Sequence, residues 1–363
     1  MEQATEGAAR IRISEGVFYN PKMRKLRSIS VLFLRALGMR DARLLDATAA
    51  TGARGIRYAL EAGIRDGVLL DINPAACRNA KANVRLNGLR LRVLGKSLQE
   101  FAGASKEAFD VVDLDPFGTP VPLVHDALKV CKRHAVLMVT ATDTATLCGA
   151  EAAACLRNYG SVPIHNELCH EAGVRILLYF VAREAAQFGF GIEPLLSIAD
   201  MHYMRLFLRL EQGAEKAHES VRRSGFGAYC SNCHNFAYEA GIERRVDAKC
   251  GYCGKRMQFF GPLWLGGLHD KRLLGRMLRL RDGGDGDVRE LLERVHGELD
   301  TPFFYSVPKA TSYLGVGSVS QARVLAALSS GHRATRTHFD DDGIKTDAGT
   351  GAVIEAVRRA SEE

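Results

Sequence analysis

An apolar run ends at a carboxylate in the stretch Phe109-Asp-Val-Val-Asp-Leu-Asp-Pro-Phe-Gly-Thr-Pro120. We predict that its first six residues form a buried strand, because short apolar runs bounded by turn residues are typical of one. Asp115-Pro116-Phe117-Gly118 then follows at the carboxyl end of that strand. There the acid could accept a hydrogen bond from an exocyclic amino group while the ring of Phe117 stacks on a planar base. The alternative is an ordinary turn, since Asp-Pro and Phe-Gly both occur in turns.

Other strand-like segments flank this one, and helix-like segments separate them. The predicted strands, in chain order, are Arg43–Asp46, Gly67–Asp71, Leu89–Leu94, Phe109–Leu114 and Ala135–Thr140. Helices are predicted at Gly55–Ala62 and from Asn73-Pro74, where proline favours the first position of a helix. Because strands that alternate with helices indicate parallel βαβ units, the sequence predicts an α/β fold with a doubly wound sheet.

Acids stand at three predicted strand ends, where such sheets bind ligands. The first opens the turn Asp46-Ala-Thr-Ala-Ala-Thr-Gly52-Ala-Arg54-Gly55, which has small residues but no Gly-x-Gly-x-x-Gly pattern for a pyrophosphate. An acid here suits the amino group of the methionine moiety of S-adenosylmethionine (SAM), and Asp71 suits ribose hydroxyls. SAM is therefore favoured over a nicotinamide dinucleotide, although each acid could instead cap a turn. The cofactor contacts predicted in these turns are Asp46, Gly52, Arg54 and Asp71.

The nine cysteines are of two kinds. Two Cys-x-x-Cys pairs, separated by residues 234–249, have the spacing of a tetrahedral Zn²⁺ site. Four thiolates leave no open coordination position, so the ion is predicted to be structural. His234 is an alternative ligand. The predicted zinc ligands are Cys230, Cys233, Cys250 and Cys253, whereas Cys131, Cys148, Cys155 and Cys169 are predicted to be buried thiols without a metal.

Composition excludes several classes of protein. The 363 residues are 47% hydrophobic and 25% charged, which is typical of a globular chain of two or three domains. No apolar run reaches the roughly 18 residues of a membrane span, and the first residues lack the pattern of a signal peptide. An odd number of cysteines argues against an extracellular disulfide framework. We expect a cytoplasmic protein without a membrane partner.

The net charge of +7 is modest, and its clustering is more informative. Between Arg10 and Arg40 the basic residues far outnumber the single acid, Glu15. In a helix that begins near Lys271, the side chains of Arg272, Arg276 and Arg279 would share one face. Such a face can follow a phosphate backbone, which makes nucleic acid the expected partner. A solvated helix surface is the alternative.

The second half of the chain changes in composition. Tyr203–Leu210 is strand-like and is predicted to complete the sheet, residues 213–227 read as a polar helix, and the chain after Gly261 reads as helical and basic, with a Gly- and Asp-rich break at 282–287. We predict a first domain over residues 1–223 with an amino-terminal arm. A second domain, over residues 224–363, would contain the zinc module at about 226–260.

Taken together, these motifs resemble the tRNA guanine-26 N2-dimethyltransferase family in its archaeal form. The resemblance covers nearly the whole chain. It rests on Val17-Phe-Tyr-Asn-Pro-x-Met23, Asp115-Pro-Phe-Gly-Thr-Pro120, the four cysteines, Gly261-Pro-Leu-Trp-Leu-Gly266, Thr337-His-Phe339 and Lys345-Thr-Asp347. It implies a class I SAM-methyltransferase sheet followed by a zinc-containing α/β domain that binds tRNA.

The resemblance also implies roles for individual residues. Asp115 corresponds to the catalytic acid, with the Pro116 carbonyl beside it, while Phe117 and Phe18 correspond to opposing walls of the base pocket. Arg27 corresponds to a residue that reaches the cofactor. Two departures occur: Leu26-Arg27-Ser28 replaces Asn-Arg-Asp, and Gly95-Lys96-Ser97 replaces an Asp-Ala pair near the adenine. Lys96 and Ser97 are therefore the expected adenine neighbours.

The implied reaction is methylation of the exocyclic N2 amino group of guanine 26 in tRNA. Two alternatives stay open at this point. Another SAM-dependent amino-methyltransferase, acting on a different guanine or on adenine, would use the same acid and the same stacking wall. A zinc-dependent RNA-binding protein without catalysis would keep the cysteines but has no need of Asp115.

Overall fold

The computed structural model describes residues 2–200, 202–241, 243, 247–280 and 286–362. Most of the predicted break at 282–287 lies outside these residues. The strands are β1 (Glu2–Glu6), β2 (Ala9–Ile13), β3 (Arg43–Asp46), β4 (Asp66–Leu70), β5 (Arg92–Leu94), β6 (Phe109–Leu114), β7 (Cys131–Ala141), β8 (Phe190–Asp200), β9 (Tyr203–Gln212), β10 (Ser224–Tyr229), β11 (Phe236–Ala240), β12 (Gln258–Trp264), β13 (Tyr305–Ser306), β14 (Ala334–Arg336) and β15 (Gly343–Thr346).

Helices connect most of these strands, and a short 3-10 turn, Pro21–Met23, precedes the first of them. The helices are α1 (Arg24–Leu37), α2 (Ala53–Glu61), α3 (Pro74–Leu86), α4 (Leu98–Ala104), α5 (Val121–Lys129), α6 (Thr144–Leu147), α7 (Ala152–Tyr159), α8 (Cys169–Gln187), α9 (Ala214–Arg222), α10 (Lys271–Arg279), α11 (Gly286–Gly297), α12 (Val307–Leu314), α13 (Gln321–Leu328) and α14 (Thr350–Glu362). None of the described helices is both long enough and apolar enough to cross a lipid bilayer.

The central sheet has the strand order β5-β4-β3-β6-β7-β9-β8. The first five of these strands are parallel to one another, and β9 runs antiparallel to both β7 and β8. The predicted doubly wound α/β sheet is therefore confirmed. Because the strand order reverses between β3 and β6, the crevice at their carboxyl ends is where a ligand is expected.

Both faces of this sheet are buried. Leu44 and Val111 point to one apolar cluster, which α1, α10 and α11 complete. Their neighbours Leu45 and Val112 point to the opposite cluster, which contains most of the apolar side of α8. Alternation along each strand thus supplies two cores, as a parallel sheet covered by helices requires.

Three predicted segments differ from the structure. The third strand begins only at Arg92, because the backbone N–H of Leu89 bonds Val84 O and finishes α3. The polar helix ends at Arg222, and the next residues pair with β12 as β10. After Gly261 the chain is not purely helical, since β12 continues and β13, β15 and β14 form a small sheet.

Residues beyond 224 contribute to both central cores. Leu273 and Met277 of α10 join the face that carries α1, and Phe260 and Trp264 of β12 join the other. The two parts of the chain therefore share their apolar interior. The domain boundary after residue 223 stays a prediction.

A buried group of charges links these two parts. Glu171 of α8 accepts hydrogen bonds from Lys345 Nζ at 3.0 Å and from the backbone N–H of Phe303 at 2.8 Å. Lys345 Nζ also lies 3.0 Å from Glu298 Oε1, and His338 Nδ1 lies 2.7 Å from Glu298 Oε2. Burial alone raises the pKa of Glu298, but Lys345 and His338 hold it well below its usual range. Two of the sequence motifs near the carboxyl end thus supply an ion cluster rather than surface contacts.

Candidate active site and cysteine cluster

The predicted acids meet at the carboxyl edge of the central sheet. Asp46 is the last residue of β3, Asp71 follows β4, and Asp115 follows β6. Since β3 lies between β4 and β6, the three carboxylates come from three adjacent strands. The three predicted strand-end acids therefore lie along one edge of the sheet, which we call the rim.

Asp46 lies under the turn that leads into α2. Its Oδ2 accepts the backbone N–H of Gly55 at 3.2 Å, and its side chain is almost wholly buried. Burial and, after it, the negative charge of Asp113 raise the pKa of Asp46 to about 7. A carboxyl group in this position gains most from a cationic group placed beside it.

The turn itself brings backbone close to the site. Gly52, at φ +77°, caps α2, and a Cβ atom there would lie 3.2 Å from Leu69 Cδ2, so this position requires glycine. Asp71 Oδ2 accepts the N–H of Ala50 at 2.8 Å, and its Oδ1 accepts the N–H of Asn73 at 2.8 Å. Asp71 therefore braces the turn as well as facing the rim.

Asp115 is paired with Arg54, a contact that the sequence did not predict. Arg54 Nη2 donates to Asp115 Oδ2, and Arg54 Nη1 lies 3.6 Å from Asp113 Oδ2. Burial would lower the pKa of Arg54, but Asp115 and Asp113 raise it well above its usual value. The backbone N–H of Asp115 is held by Thr48 Oγ1 at 3.1 Å. Arg54, predicted as a cofactor contact, thus orients the candidate catalytic acid.

Behind this pair lies a buried ion cluster centred on Asp113. Arg205 of β9 donates to its Oδ1 at 2.7 Å and to its Oδ2 at 2.9 Å, and Tyr58 OH donates to Oδ2 at 2.6 Å. Burial opposes ionisation, yet Arg205 and Arg54 lower the pKa of Asp113. Sequence reasoning missed these residues. The available signal was an acid inside an apolar strand, since acids are rarely buried without a partner.

The two aromatic side chains predicted to hold a base are both at the rim. Phe18 is 50% exposed and Phe117 is 73% exposed, which is unusual for large apolar side chains. Their ring centroids are 4.5 Å apart and their planes meet at 80°. Two walls that sandwich a base must be about 7 Å apart, twice an ordinary contact distance. The structure brings the pair together, in an edge-to-face contact that closes the slot between them.

Arg27 is paired with a carboxylate of the amino-terminal hairpin. Its Nε and Nη2 donate to Glu6 Oε1 and Oε2, both at 2.6 Å, and Arg57 Nη1 reaches Glu6 Oε1 at 2.9 Å. Although burial raises it, the pKa of Glu6 falls to about 2 because these guanidinium groups and Tyr19 surround the carboxylate. Sequence reasoning did not single out Glu6. The contact of Arg27 with the cofactor stays a prediction.

Lys96 and Ser97 lie beside the rim, after β5. Ser97 Oγ caps α4 by accepting the N–H of Glu100 at 3.1 Å, so its hydroxyl already serves the fold. Lys96 is exposed. Their role as adenine neighbours stays a prediction, as does that of the Pro116 carbonyl next to Asp115.

The two Cys-x-x-Cys pairs converge as their spacing predicts. One ligand atom from each of the four cysteines lies within 4.8 Å of the others, and the Sγ atoms are 3.4 Å apart for Cys230 and Cys253 and 3.5 Å apart for Cys233 and Cys250. Four sulfurs around Zn²⁺ at about 2.3 Å are about 3.8 Å from one another, so the set fits zinc after a small adjustment.

Polar contacts support this cluster from outside. Asn235 Nδ2 donates to Cys250 Sγ at 3.3 Å, and Asn235 Oδ1 accepts from Thr350 Oγ1 of α14 at 2.5 Å. His234 is not among the converging ligand atoms, and its Nδ1 lies 2.5 Å from Tyr229 OH. Hydrogen bonds of this kind orient metal ligands, and they connect the cluster to the carboxyl-terminal helix.

The predicted basic face is present on α10. Arg272, Arg276 and Arg279 are exposed, whereas Leu273, Leu274 and Met277 are buried. α10 packs on α1 and α11, so the arginines stand on the outer surface of the helix layer next to the amino-terminal arm. A row of cations on a rigid helix is suited to a phosphate backbone.

The fold and the site are those of a SAM-dependent methyltransferase with a doubly wound sheet. The features that define this class are the strand order, the acids at the strand ends and the acid followed by Pro-Phe-Gly. The chain belongs to the N2,N2-dimethylguanosine tRNA methyltransferase family, whose model matches residues 2–358. The family resemblance seen in the sequence is confirmed.

Close similarity extends over the full length of curated relatives. The tRNA (guanine(26)-N(2))-dimethyltransferase of Methanothermobacter thermautotrophicus is 36% identical, with 98% of each chain covered. That of Thermococcus kodakarensis is 38% identical, with 97% of this chain and 98% of the relative covered. The solved complex of Trm1 from Pyrococcus horikoshii with SAM has a TM-score of 0.91 at 34% identity and covers 98% of this chain and 99% of that one.

Proposed function

We infer that this protein is a SAM-dependent tRNA (guanine(26)-N2)-dimethyltransferase. Full-length similarity to enzymes of that name supports the inference. The observation that carries it is Asp115, a carboxylate at the switch point of the sheet, next to two exposed aromatic rings. Neither another amino-methyltransferase nor a non-catalytic RNA-binding protein accounts for these findings better.

The acids of the rim fit SAM. Asp46 is a buried carboxyl group that lacks a cationic partner in direct contact among the described residues, and the amino group of the methionine moiety would supply one. Asp71 and the Gly52 turn would hold the ribose and let backbone approach it. When bound, SAM supplies an electrophilic methyl group carried on a sulfonium. Arg27, Lys96 and Ser97 are proposed as further cofactor neighbours.

Asp115 has the chemistry needed to activate an amino group. The exocyclic nitrogen of guanine is a weak nucleophile, because its lone pair is delocalised into the ring. Arg54 engages Oδ2, so Oδ1 is the oxygen that would accept an N–H of guanine, with the Pro116 carbonyl accepting the other. As the nitrogen loses a proton, the carboxylate stabilises the developing charge and takes the proton.

Phe18 and Phe117 would hold the base in position. The rings touch edge to face at 4.5 Å, so at least one must turn or shift before a base enters. Both rings are exposed and therefore free to move at small cost. A target base that is stacked in folded tRNA must also be extruded from its stack, and the opened pair would receive it.

The rest of the chain would bind the tRNA body. The arginines of α10 would contact phosphates, and zinc would stabilise the separate segment at about 226–260 that contains the four cysteines. We further propose that the protein works in the cytoplasm, where cysteine thiols stay reduced and available to zinc.

Methylation of defined transcripts tests this function. Purified protein would be incubated with SAM and an unmodified tRNA transcript, and with a matched transcript in which guanine 26 is replaced by adenine. We expect N2-methyl- and N2,N2-dimethylguanosine in the first digest and neither in the second. A different methylated nucleoside, or equal methylation of both transcripts, would contradict the assignment of base and position.

A further inference from the structure

A second group of metal-binding side chains lies at the carboxyl edge of the sheet, apart from the four-cysteine cluster. β7 ends at Ala141, the short helix α6 follows, and Cys148 comes directly after α6. α8 begins at Cys169, and His170 is its second residue. One ligand atom from each of Cys148, Cys169 and His170 lies within 4.8 Å of the other two. The fold thus joins two thiols and an imidazole from two separate segments.

Backbone contacts fix both segments independently of the thiols. Gly149 has φ +87°, and a Cβ atom there would lie 3.0 Å from the carbonyl carbon and oxygen of Ile164, so the turn after Cys148 requires glycine. The carbonyl of Cys148 accepts a hydrogen bond from His165 Nδ1 at 2.9 Å. Asn166 Oδ1 accepts the N–H of Leu168 at 2.9 Å, immediately before α8. The cluster is therefore preformed by its surroundings.

The residues are only half-buried, which corrects the prediction that these two cysteines are core thiols. Partial exposure gives an ion a path of entry. Thiolate and imidazole are the ligands that Zn²⁺ prefers, and two cysteines with one histidine are a known zinc set that leaves a fourth position open. Cys169 stands at the amino end of a 19-residue helix, where the helix dipole favours a thiolate.

We propose that Cys148, Cys169 and His170 form a second Zn²⁺ site. The ion would tie the segment after β7 to the start of α8. His170 also lines a cavity of about 370 Å³ whose walls include Lys25, Asp200, Glu290 and Arg294. Water would fill the open coordination position of the ion.

Another cluster of metal-binding side chains in the same molecule is unsuited to a cation. His269, Glu298 and His338 also bring ligand atoms within 4.8 Å of one another. However, Lys345 Nζ already lies 3.0 Å from Glu298 Oε1, and its positive charge repels a cation. Among the described residues, no lysine or arginine is paired with Cys148, Cys169 or His170, which favours these residues as the metal site.

Metal analysis of the full-length protein tests the proposal. After equilibration with Zn²⁺ and removal of unbound ion, we expect two zinc ions per chain in the unaltered protein. Cys148→Ser is expected to retain one. The matched control is Cys131→Ser, because Cys131 is also a half-buried thiol but donates to Ala127 O at 3.2 Å and belongs to no cluster of three metal-binding side chains among the described residues. This control should keep both ions.

A second variant distinguishes loss of the second zinc ion from loss of folding. His170→Ala leaves both thiols in place and removes a half-buried imidazole, and the backbone contacts described above hold both segments, so its melting temperature should be close to that of the unaltered protein. We expect it to lose the second ion to a weak chelator that leaves the four-cysteine ion bound. With Co²⁺ in place of Zn²⁺, the thiolate-to-cobalt absorption should fall in Cys148→Ser and stay unchanged in Cys131→Ser.

Two results would overturn the second site. One is a single zinc ion per chain in the unaltered protein and in Cys148→Ser alike. The other is a protein purified under reducing conditions whose mass is lower by two hydrogens, with Cys148 and Cys169 protected from alkylation, because the pair would then be a disulfide. Neither result depends on methyl transfer, so the proposed function stands or fails separately.

Discussion

The rim of the sheet and the four-cysteine cluster are built in opposite ways. At the rim, two aromatic rings are exposed and a buried carboxyl group has a pKa raised to about 7. In the cysteine cluster, three of the thiols are buried and a side-chain amide donates to one of them. The exposed rings and the buried carboxyl group of the rim would gain contacts from a bound ligand. The thiols of the cluster already have contacts within the chain. Substitutions at the rim should therefore reduce activity, and substitutions in the cluster should reduce stability.

The largest effect is expected in the cysteine cluster. Cys250→Ser removes a thiolate and leaves Asn235 without its sulfur acceptor, so the ion should be released. Because structural zinc contributes on the order of 10 kcal/mol to the folding of small zinc modules, we expect a marked fall in melting temperature. Zinc content and melting would be measured together. An unchanged melting temperature in a zinc-free variant would show that the cluster is not a stabilising element.

Asp115→Asn should reduce activity and leave stability nearly unchanged. It keeps the shape of the side chain but cannot take a proton, so kcat is expected to fall by about 10²- to 10⁴-fold. Binding of SAM and the melting temperature should change little. The matched control is Glu355→Gln, which also replaces one carboxylate by an amide but lies on the surface of α14. Turnover by Asp115→Asn equal to that of this control would remove Asp115 from the mechanism.

Substitutions of two arginines distinguish the role of the rim from that of the buried ion cluster around Asp113. Arg205 and Arg54 both lie next to Asp113, but Arg54 alone of the two also donates to Asp115 in the described structure. Removing one partner of a buried ion pair costs about 3–5 kcal/mol, so Arg205→Met should destabilise the protein by that amount. Arg54→Met should in addition lower kcat more than it raises KM. Denaturant unfolding and steady-state kinetics on both variants check this, and equal kinetic losses would contradict a positioning role for Arg54.

The smallest effect concerns the pH dependence of SAM binding. With a pKa of about 7, Asp46 is ionised above neutrality and protonated below it. The amino group of SAM stays charged below about pH 7.7. Only ionised Asp46 attracts it, so affinity should fall as pH drops, by up to about fivefold between pH 7 and pH 6. Calorimetry across this range measures the effect. Asp46→Asn should bind SAM more weakly and without this dependence, and a parallel pH profile in both proteins would exclude Asp46 as the cause.

Much of the site was readable from local patterns. Apolar runs identified β3 and β6, and these runs fixed Asp46 and Asp115 at strand ends, because the carboxyl end of a buried strand lies at the edge of the sheet. The spacing of four cysteines predicted that their thiols converge, since two short turns are sufficient to present them, and the structure confirms this cluster. The boundaries of β5 and α9 were less accurate, because hydrogen bonds at helix ends compete with strand pairing for the same backbone groups.

By itself, the sequence determined the class of fold, the carboxyl edge of the sheet as the candidate site, the acid expected to act there and the convergence of the four cysteines. Only the tertiary structure decided the partners of those residues. Asp113 and Arg205 are 92 residues apart and meet because β9 is inserted beside β7, two strands away from β6. Cys148 and Cys169 meet because α8 packs next to α6. Periodicity and spacing report on a residue's own segment, whereas charge pairing depends on which segments the sheet order brings side by side.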